Sequence, residues 1–217
     1  MRTWLIWLLL ALPLLAGPVD RYESSIAAYE AADKLKAPET GGTLFLGSST
    51  FTLWGHDLER EFARFHALNR GFGGSTIPEV DHYLERICFP YRPQRVVFYV
   101  GTNDIAEGHS PDQVLEDFEK LMVHLRRQLP NVRVAYLSMA MPPSRTQFEG
   151  QYAEANARLR QLCEDQPNLD YVDVSQLLLD EKGRPRESFY REDRLHMKPT
   201  GYAIWIPVLR RYLEDRQ

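Results

Sequence analysis

The chain has 217 residues, of which 44% are hydrophobic and 26% are charged, a balance that is typical of one folded domain and not of a disordered chain. A formal net charge of −4, without a basic stripe interleaved with aromatic residues, argues against nucleic acid as a partner. The two cysteines, Cys88 and Cys163, lack the spacing of a zinc site, so the sequence predicts no structural metal. A disulfide between them stays open.

Residues 1–17 are predicted to be a signal peptide or an N-terminal anchor. Arg2 precedes an apolar run from Trp4 to Ala16, which is shorter than the about 20 residues that a helix needs to cross a bilayer. Leucine stands two residues before both Ala16 and Gly17, where a cleavage site calls for a small residue. Removal and retention both stay open. In either case we expect a secreted or periplasmic domain that contacts a membrane through this segment alone.

Two regions follow the N-terminal segment. Residues 18–42 are predicted to form a peripheral helix, from Arg21 to Leu35, and a linker into a larger domain at residues 43–217. Five apolar runs of that domain are predicted strands, at residues 44–46, 66–69, 95–100, 132–137 and 169–174. Because these runs alternate with amphipathic helices, the predicted fold is α/β, a three-layer αβα sandwich around a five-stranded parallel sheet.

Capping residues predict where several helices begin. Thr76-x-x-Glu79 and Ser110-x-x-Gln113 both match a capping box, in which a hydroxyl and a side chain three residues later satisfy the first N–H groups of a helix. Thr200 is the predicted cap of the last helix. Pro207 lies inside that helix and is expected to kink or restart it, since proline removes one backbone donor.

Three turns of small residues follow predicted strands, at residues 47–49, 71–74 and 101–103. Because ligands in such folds bind at the carboxyl ends of the strands, we expect these turns to converge on one edge of the sheet. A serine in the first turn would lie at a helix N-terminus, where backbone N–H groups favour developing negative charge. Taken alone, however, Ser48 or Ser49 is more simply interpreted as a helix cap.

A carboxylate precedes a histidine by three residues near the end of the chain. At this spacing Asp193 and His196 can meet across one turn of backbone, where the carboxylate fixes the ring tautomer and leaves the other nitrogen free to take a proton. Alone, such a pair is commonly a surface charge or a cap. Together with a serine and turns rich in N–H donors, it favours nucleophilic catalysis.

Taken together, these motifs resemble the four sequence blocks of the SGNH (GDSL-type) hydrolases. The blocks are Gly47-Ser48-Ser49, Asn69-x-Gly71-x-Gly73-Gly74, Gly101-Thr102-Asn103-Asp104 and Asp193-x-x-His196-x-x-Pro199-x-Gly201-Tyr202. They occur in the order that the family shows. The resemblance implies a flavodoxin-like catalytic domain at residues 43–217 and a serine ester hydrolase that uses no metal or organic cofactor.

The resemblance also implies a role for five residues. Ser49 matches the nucleophile, His196 the base and Asp193 the carboxylate that orients the base. The oxyanion hole would combine the N–H groups of Ser49 and Gly74 with the side-chain amide of Asn103.

Two positions depart from the family's pattern. Ser48 stands where the first block commonly has aspartate, which leaves the anchoring of that turn less defined. Gly73 stands where a serine is common, which predicts a looser glycine-rich turn. Neither position is implied to react with substrate.

The predicted function is hydrolysis of a carboxylic ester through an acyl-enzyme on Ser49. Polar, proline-bearing loops at residues 104–110, 138–147 and 180–194 favour a short acyl chain such as acetyl, carried by a small molecule or a carbohydrate. Acyl transfer between sugars of the cell envelope stays open as an alternative, as do lysophospholipase and thioesterase activity. A non-catalytic binding module is disfavoured because the set of reactive residues is complete.

Two further features of the sequence lie at the same edge of the predicted sheet. The glycine run at residues 71–74 does not fit a dinucleotide fingerprint, because Thr76 stands where glycine or alanine is expected. Arg145, Arg186 and Arg191 lie in the rim loops and could bind an acidic group. Solvated charge is the interpretation that we favour for all three.

Overall fold

The computed structural model describes residues 21–215, so the predicted signal peptide or anchor lies outside the described residues. The strands are β1 (Thr43–Gly47), β2 (Ala67–Asn69), β3 (Arg95–Tyr99), β4 (Arg133–Leu137) and β5 (Leu169–Val172). All neighbouring strands pair in parallel, in the order β2-β1-β3-β4-β5. This is the flavodoxin-like order, and the predicted fold class is confirmed.

Helices cover both faces of the sheet. In chain order they are α1 (Glu23–Leu35), α2 (Ser49–Trp54), α3 (His56–Glu61), α4 (Ile77–Ile87), α5 (Thr102–Ala106), α6 (Pro111–Gln128), α7 (Glu149–Asp165) and α8 (Pro199–Asp215). Within the range that the structure covers, no helix is both long and apolar enough to cross a membrane.

Side chains of the sheet alternate between two apolar cores. Leu44 and Leu46 of β1 belong to the core beneath α1, α4, α6 and α7, whereas Phe45 belongs to the core beneath α2, α3 and α8. All three side chains are at most 1% exposed. Full burial of such a side chain contributes about 1.5–3 kcal/mol, so covering both faces with helices explains why the strands are continuously apolar.

Both predicted capping boxes are confirmed. The N–H of Thr76 donates to the Glu79 carboxylate at 2.8 Å at the start of α4. At the start of α6, Ser110 Oγ accepts the N–H of Gln113 at 3.2 Å, and the N–H of Ser110 donates to Gln113 Oε1 at 2.8 Å. These contacts satisfy N–H groups that a helix leaves without an internal partner.

The last helix departs from its prediction at its start. α8 begins at Pro199, so Thr200 lies within the first turn and the predicted cap is wrong. Proline is favoured at the first position of a helix because its missing N–H would have no internal partner there. The helix continues through Pro207 to Asp215 and does not restart.

The two cysteines are free thiols. Cys88 closes α4, Cys163 lies in α7, and both are buried in the same apolar core. Burial raises the pKa of both thiols, that of Cys163 to about 12, so they remain protonated and act as small apolar side chains. The structure contains no disulfide between them.

Candidate active site

Ser49 is the first residue of α2, directly beyond the end of β1. A side chain on Gly47 would place its Cβ 2.3 Å from the carbonyl oxygen of Tyr99 on β3, so only glycine lets the two strands approach this closely. Ser48 is buried, and its carbonyl oxygen accepts two N–H groups of the first turn, at 3.1 and 3.2 Å. The side chain of Ser48 does not cap α2, so the capping interpretation fails for this residue.

The structure brings Ser49, His196 and Asp193 into one chain of hydrogen bonds. Ser49 Oγ lies 2.9 Å from His196 Nε2, and His196 Nδ1 lies 2.7 Å from Asp193 Oδ2. The other carboxylate oxygen of Asp193 accepts the N–H groups of Leu195 and His196 at 2.9 and 3.0 Å.

The carboxylate of Asp193 is therefore fixed in place and ionised. Burial opposes its ionisation, but the hydrogen bonds from the backbone N–H and the ring of His196 and from the N–H of Leu195 outweigh burial and lower the pKa of Asp193 to about 2. An ionised carboxylate on Nδ1 keeps the hydrogen of the ring on that nitrogen. Nε2 is then left as the atom that can accept a proton from Ser49.

The glycine-rich turn between β2 and α4 lies against Ser49. Asn69 positions it, because Asn69 Oδ1 accepts the N–H of Gly71 at 3.0 Å while its Nδ2 donates to a carbonyl oxygen of α2 at 2.8 Å. A Cβ added to Gly73 would lie 3.7 Å from the Cβ of Ser49. Gly74 has a φ of 85°, in the left-handed region that favours glycine, and its N–H forms no backbone hydrogen bond within residues 21–215.

Asn103 reaches the same place from the end of β3. Its side chain is 8% exposed and lines a cavity together with Ser49 and His196. Asn103 Nδ2 donates to the carbonyl oxygen of Ser75 at 3.0 Å, and its Oδ1 accepts from both terminal nitrogens of Arg145 at 3.2 and 3.1 Å. The convergence of the three predicted turns at one edge of the sheet is confirmed.

The cavity beside Ser49 has a volume of about 30 Å³. That volume holds roughly one or two water molecules. Beside Ser49, Asn103 and His196, its wall includes the side chains of Tyr99, Ala140, Pro142, Leu178, Tyr190 and Met197. Across the described part of the chain, no group of three or more His, Cys, Asp or Glu side chains is arranged to hold a metal ion.

Comparison with known proteins identifies the family. A sequence model of the GDSL-like Lipase/Acylhydrolase family matches residues 24–204, which is most of the chain. The chain belongs to this family. The predicted resemblance is confirmed, and the protein is an enzyme, a GDSL-type carboxylic ester hydrolase. No curated protein matches it in a sequence comparison.

Solved structures share the fold of this GDSL-type hydrolase at low sequence identity. A proposed acylhydrolase from Bacteroides fragilis is 18% identical, with a TM-score of 0.75 over 92% of this chain and 97% of its own. A catalytic mutant of an acetylxylan esterase from Geobacillus stearothermophilus is 15% identical, with a TM-score of 0.64 over 81% and 95%. The catalytic domain of a peptidoglycan O-acetyltransferase from Streptococcus pneumoniae is 17% identical, with a TM-score of 0.62 over 82% and 94%.

Arg145 is the residue of this hydrolase's site that sequence reasoning missed. Solvated charge is wrong for this side chain, which is half-buried and bonded to Asn103. Arg145 and Asn103 are 42 residues apart, and no local pattern marks the contact. The only feature of the sequence that could have indicated the role of Arg145 is its position in a loop predicted to lie near the carboxyl ends of the strands. The roles implied for Ser49, Gly74 and the other predicted site residues stay predictions.

Proposed function

We propose that this GDSL-type hydrolase cleaves short-acyl carboxylic esters through an acyl-enzyme on Ser49. The observation that carries the proposal is the 2.9 Å contact between Ser49 Oγ and His196 Nε2, backed by Asp193 on the other ring nitrogen. In this geometry His196 takes the hydroxyl proton through Nε2 as Ser49 attacks the ester carbonyl carbon. Asp193 holds the ring in the required tautomer and stabilises the imidazolium that forms.

The attack moves negative charge onto the carbonyl oxygen of the ester. The N–H groups of Ser49 and Gly74 and the amide of Asn103 are the donors proposed to stabilise that charge, and the loss of one such donor raises a barrier by about 3–4 kcal/mol. His196 then gives its proton to the leaving alcohol as the ester C–O bond breaks. His196 next takes a proton from a water molecule, which attacks the acyl-enzyme. As the bond between the acyl carbon and Ser49 Oγ breaks, His196 gives this proton to Ser49 Oγ and the acid is released.

The size of the cavity supports a short acyl group. The cavity beside Ser49 is small, at about 30 Å³, and the buried side chains of Leu178, Tyr190 and Met197 form part of its wall. One solved neighbour is an acetylxylan esterase. Acetylated carbohydrates are therefore the substrates that we propose to assay first, beside small acetyl esters.

Replacement of the proposed nucleophile tests the assignment. Ser49→Ala removes the attacking hydroxyl and is expected to abolish hydrolysis of p-nitrophenyl acetate. Ser48→Ala is the matched control, because the Ser48 side chain is buried and does not cap the helix, and it is expected to keep most of the activity. Hydrolysis measured by release of p-nitrophenol decides between them, and the opposite result would rule out Ser49 as the nucleophile.

A series of p-nitrophenyl esters tests the acyl group. We expect kcat/KM to be highest for acetyl and to fall with each further pair of carbons, since a cavity of about 30 Å³ favours a small acyl group. Rates that rise up to eight or more carbons would instead favour a lysophospholipase or a long-chain thioesterase. Comparison of free acetate with acetyl transferred to an added sugar separates hydrolysis from acyl transfer, the second candidate.

We also propose that the enzyme acts outside the cytoplasm. The apolar run from Trp4 to Ala16, preceded by Arg2, supports this location. Fusion of residues 1–42 to a reporter phosphatase that is active only after export tests it. Phosphatase activity that depends on the apolar run supports export, and activity that is absent with and without the run contradicts it.

A further inference from the structure

The amide of Asn103 is held at both ends. Its Nδ2 donates to the carbonyl oxygen of Ser75 at 3.0 Å, and its Oδ1 accepts two N–H groups of Arg145 at 3.2 and 3.1 Å. An amide carries two N–H donors, so one remains for the cavity. If the amide turned over, its oxygen would face the oxygen of Ser75 and its donors would face the donors of Arg145. The observed orientation therefore leaves one N–H donor of Asn103 unused by Ser75 and Arg145, on a side chain that lines the same cavity as Ser49.

The guanidinium of Arg145 forms no ion pair with a carboxylate of the described residues. Its guanidinium bonds Asn103 Oδ1 and, through Nη1, the carbonyl oxygen of Thr102 at 3.0 Å, and both of these acceptors are neutral. Among the ion pairs within residues 21–215, none joins Arg145 to a carboxylate. A half-buried guanidinium without an anion leaves positive charge on the wall of the cavity where the oxyanion is proposed to form.

Backbone hydrogen bonds fix the position of Arg145. Arg145 belongs to a short 3₁₀-helix, Pro143–Phe148. The N–H of Arg145 donates to the carbonyl oxygen of Pro142 at 2.9 Å, which is the first hydrogen bond of this helix. The next contact ties this segment to the loop of the base, because the N–H of Ser144 donates to the carbonyl oxygen of Arg194 at 2.9 Å. The guanidinium thus reaches Asn103 from a segment whose backbone is held by hydrogen bonds from Ser144 and from Arg145 itself.

We propose that Arg145 is a positioning residue for ester hydrolysis, which holds the Asn103 amide with its free donor toward the oxyanion and strengthens that donor. A cation that binds the amide oxygen withdraws electron density from the N–H groups, so they bind an anion more strongly. The gain is larger in the transition state, where the ester oxygen carries charge, than in the bound substrate. The inference rests on the proposed function and adds a residue to it.

Steady-state kinetics of Arg145 variants form the first part of the test. For Arg145→Gln we expect kcat for p-nitrophenyl acetate to fall by about 10- to 100-fold, because this is the effect of losing one charge-assisted hydrogen bond. KM should change by less than about twofold. Arg145→Lys keeps the charge without the fork and should lose less. Arg158→Gln is the matched control, since Arg158 on α7 pairs with Asp112 of α6 and Glu154 of α7 and does not line the cavity, and its kcat should stay at the wild-type level.

A double-mutant cycle with Asn103→Ala separates positioning from other roles. If Arg145 acts through the amide, its replacement costs little once Asn103 is gone, so the double variant should match Asn103→Ala alone within about twofold. An equal loss of kcat with and without Asn103 would overturn the inference, as would a raised KM at unchanged kcat, which indicates that the arginine binds substrate. If Arg145→Gln does not fold, Arg145→Lys replaces it in the double-mutant cycle. Its combination with Asn103→Ala should then have the same kcat as Asn103→Ala alone, within about twofold.

Chemical rescue supplies an independent readout. Guanidinium chloride at non-denaturing concentration is expected to restore part of the kcat of Arg145→Ala and none of the kcat of Arg145→Ala combined with Asn103→Ala. Equal effects on both proteins would overturn the inference. Ser49→Ala in parallel keeps the two proposals apart: residual activity of that variant contradicts the proposed function, whereas an inactive Ser49→Ala with an undiminished Arg145→Gln contradicts this inference alone.

Discussion

Asp104, the residue after Asn103, shows how a side chain outside the reacting set supports the site. It is fully buried, and its Oδ1 accepts the N–H of Ile77 at the start of α4 at 2.9 Å. Its Oδ2 has no partner among the described residues. Burial raises the pKa of Asp104 to about 6, although the hydrogen bond from Ile77 and the nearby His109 pull it the other way. Asp104 therefore binds a proton more tightly in the folded protein than in the unfolded chain.

This difference predicts how stability changes with pH. Because the folded-state pKa is raised, the protonated carboxyl favours the folded state below pH ~4, and this contribution is lost as the pH rises from about 4 to about 6. Two pKa units correspond to about 3 kcal/mol. Asp104→Asn keeps an acceptor for Ile77 and cannot titrate, so its free energy of unfolding should fall much less across this range.

Urea denaturation at several pH values from 4 to 7 measures this prediction. Asp193 does not interfere, because its pKa is lowered to about 2 and its stabilising contribution is lost only as the pH falls below about 4. Parallel pH profiles for the wild type and Asp104→Asn would show that Asp104 is not the group responsible.

At the scale of single residues, the sequence predicted which side chains lie together at the proposed site better than it predicted their surroundings. Ser49, Asp193 and His196 could be named because their short motifs together resemble those of a known family, whereas each motif alone favoured a cap or a surface charge. Arg145 could not be named in this way, because its proposed role depends on a contact with Asn103 that forms only in the folded chain. The unpartnered oxygen of Asp104 is likewise a property of burial, which local sequence does not encode.

Among the elements, α1 does more than cover the sheet. The hydroxyl of Tyr29 donates to the carbonyl oxygen of Gly71 in the glycine-rich turn. Asp33 accepts a hydrogen bond of 2.5 Å from Arg70, whose guanidinium lies 4.8 Å from the ring centre of Tyr29 and 4.8 Å from that of Tyr91. These contacts join the N-terminal helix to the turn that is proposed to donate to the oxyanion.

Tyr29→Phe is expected to affect both stability and catalysis. It removes one partly buried hydrogen bond, which contributes about 1 kcal/mol to the free energy of unfolding, and leaves the carbonyl oxygen of Gly71 without this donor. Since the turn then loses a restraint, kcat for p-nitrophenyl acetate should fall while KM changes little.

Tyr212→Phe is the matched control for this prediction. Its hydroxyl bonds Asp170 at 3.0 Å, between α8 and β5 and away from the glycine-rich turn. We expect a similar loss of stability with unchanged kcat, measured by urea denaturation and by ester hydrolysis. A fall in kcat of equal size in both variants would show that α1 has no specific effect on the turn.

Element boundaries show where local patterns stop being informative. The second strand begins at Ala67 and not at His66, because His66 adopts a φ of 49° at the end of the preceding 3₁₀-helix. The fifth strand ends at Val172, two residues earlier than predicted. Apolar runs identified every strand, but the backbone turns that end them depend on hydrogen bonds across the sheet.

On the scale of the whole molecule, strand order explains why the site lies where it does. The order β2-β1-β3-β4-β5 reverses direction between β1 and β3, and ligands bind beyond the carboxyl ends at such a switch point. Ser49 follows β1 and Asn103 follows β3, so the two strands at the reversal supply the proposed nucleophile and an oxyanion donor. Alternation of strands and helices predicted the layers, whereas the family resemblance was needed to predict this order.

Packing beneath the site joins its two halves. Tyr202 on α8, six residues after His196, donates its hydroxyl to the carbonyl oxygen of Thr50, the residue after Ser49, at 2.9 Å. The rings of Trp54 on α2 and Tyr202 stack with centroids 4.7 Å apart, and Trp54 meets Trp205 edge-on at 6.4 Å. The segments that carry Ser49 and His196 therefore share one aromatic cluster within the core.

This shared cluster predicts that the site and the core unfold together. In a variant without residues 1–17, which removes Trp4 and Trp7, the remaining tryptophans are Trp54 and Trp205, and their fluorescence reports the packing that joins α2 to α8. We expect loss of p-nitrophenyl acetate hydrolysis, change of tryptophan fluorescence and loss of far-ultraviolet circular dichroism to share one urea midpoint, as for a two-state domain. Activity lost at a lower urea concentration than fluorescence would show instead that the loop of His196 detaches while the aromatic cluster stays packed.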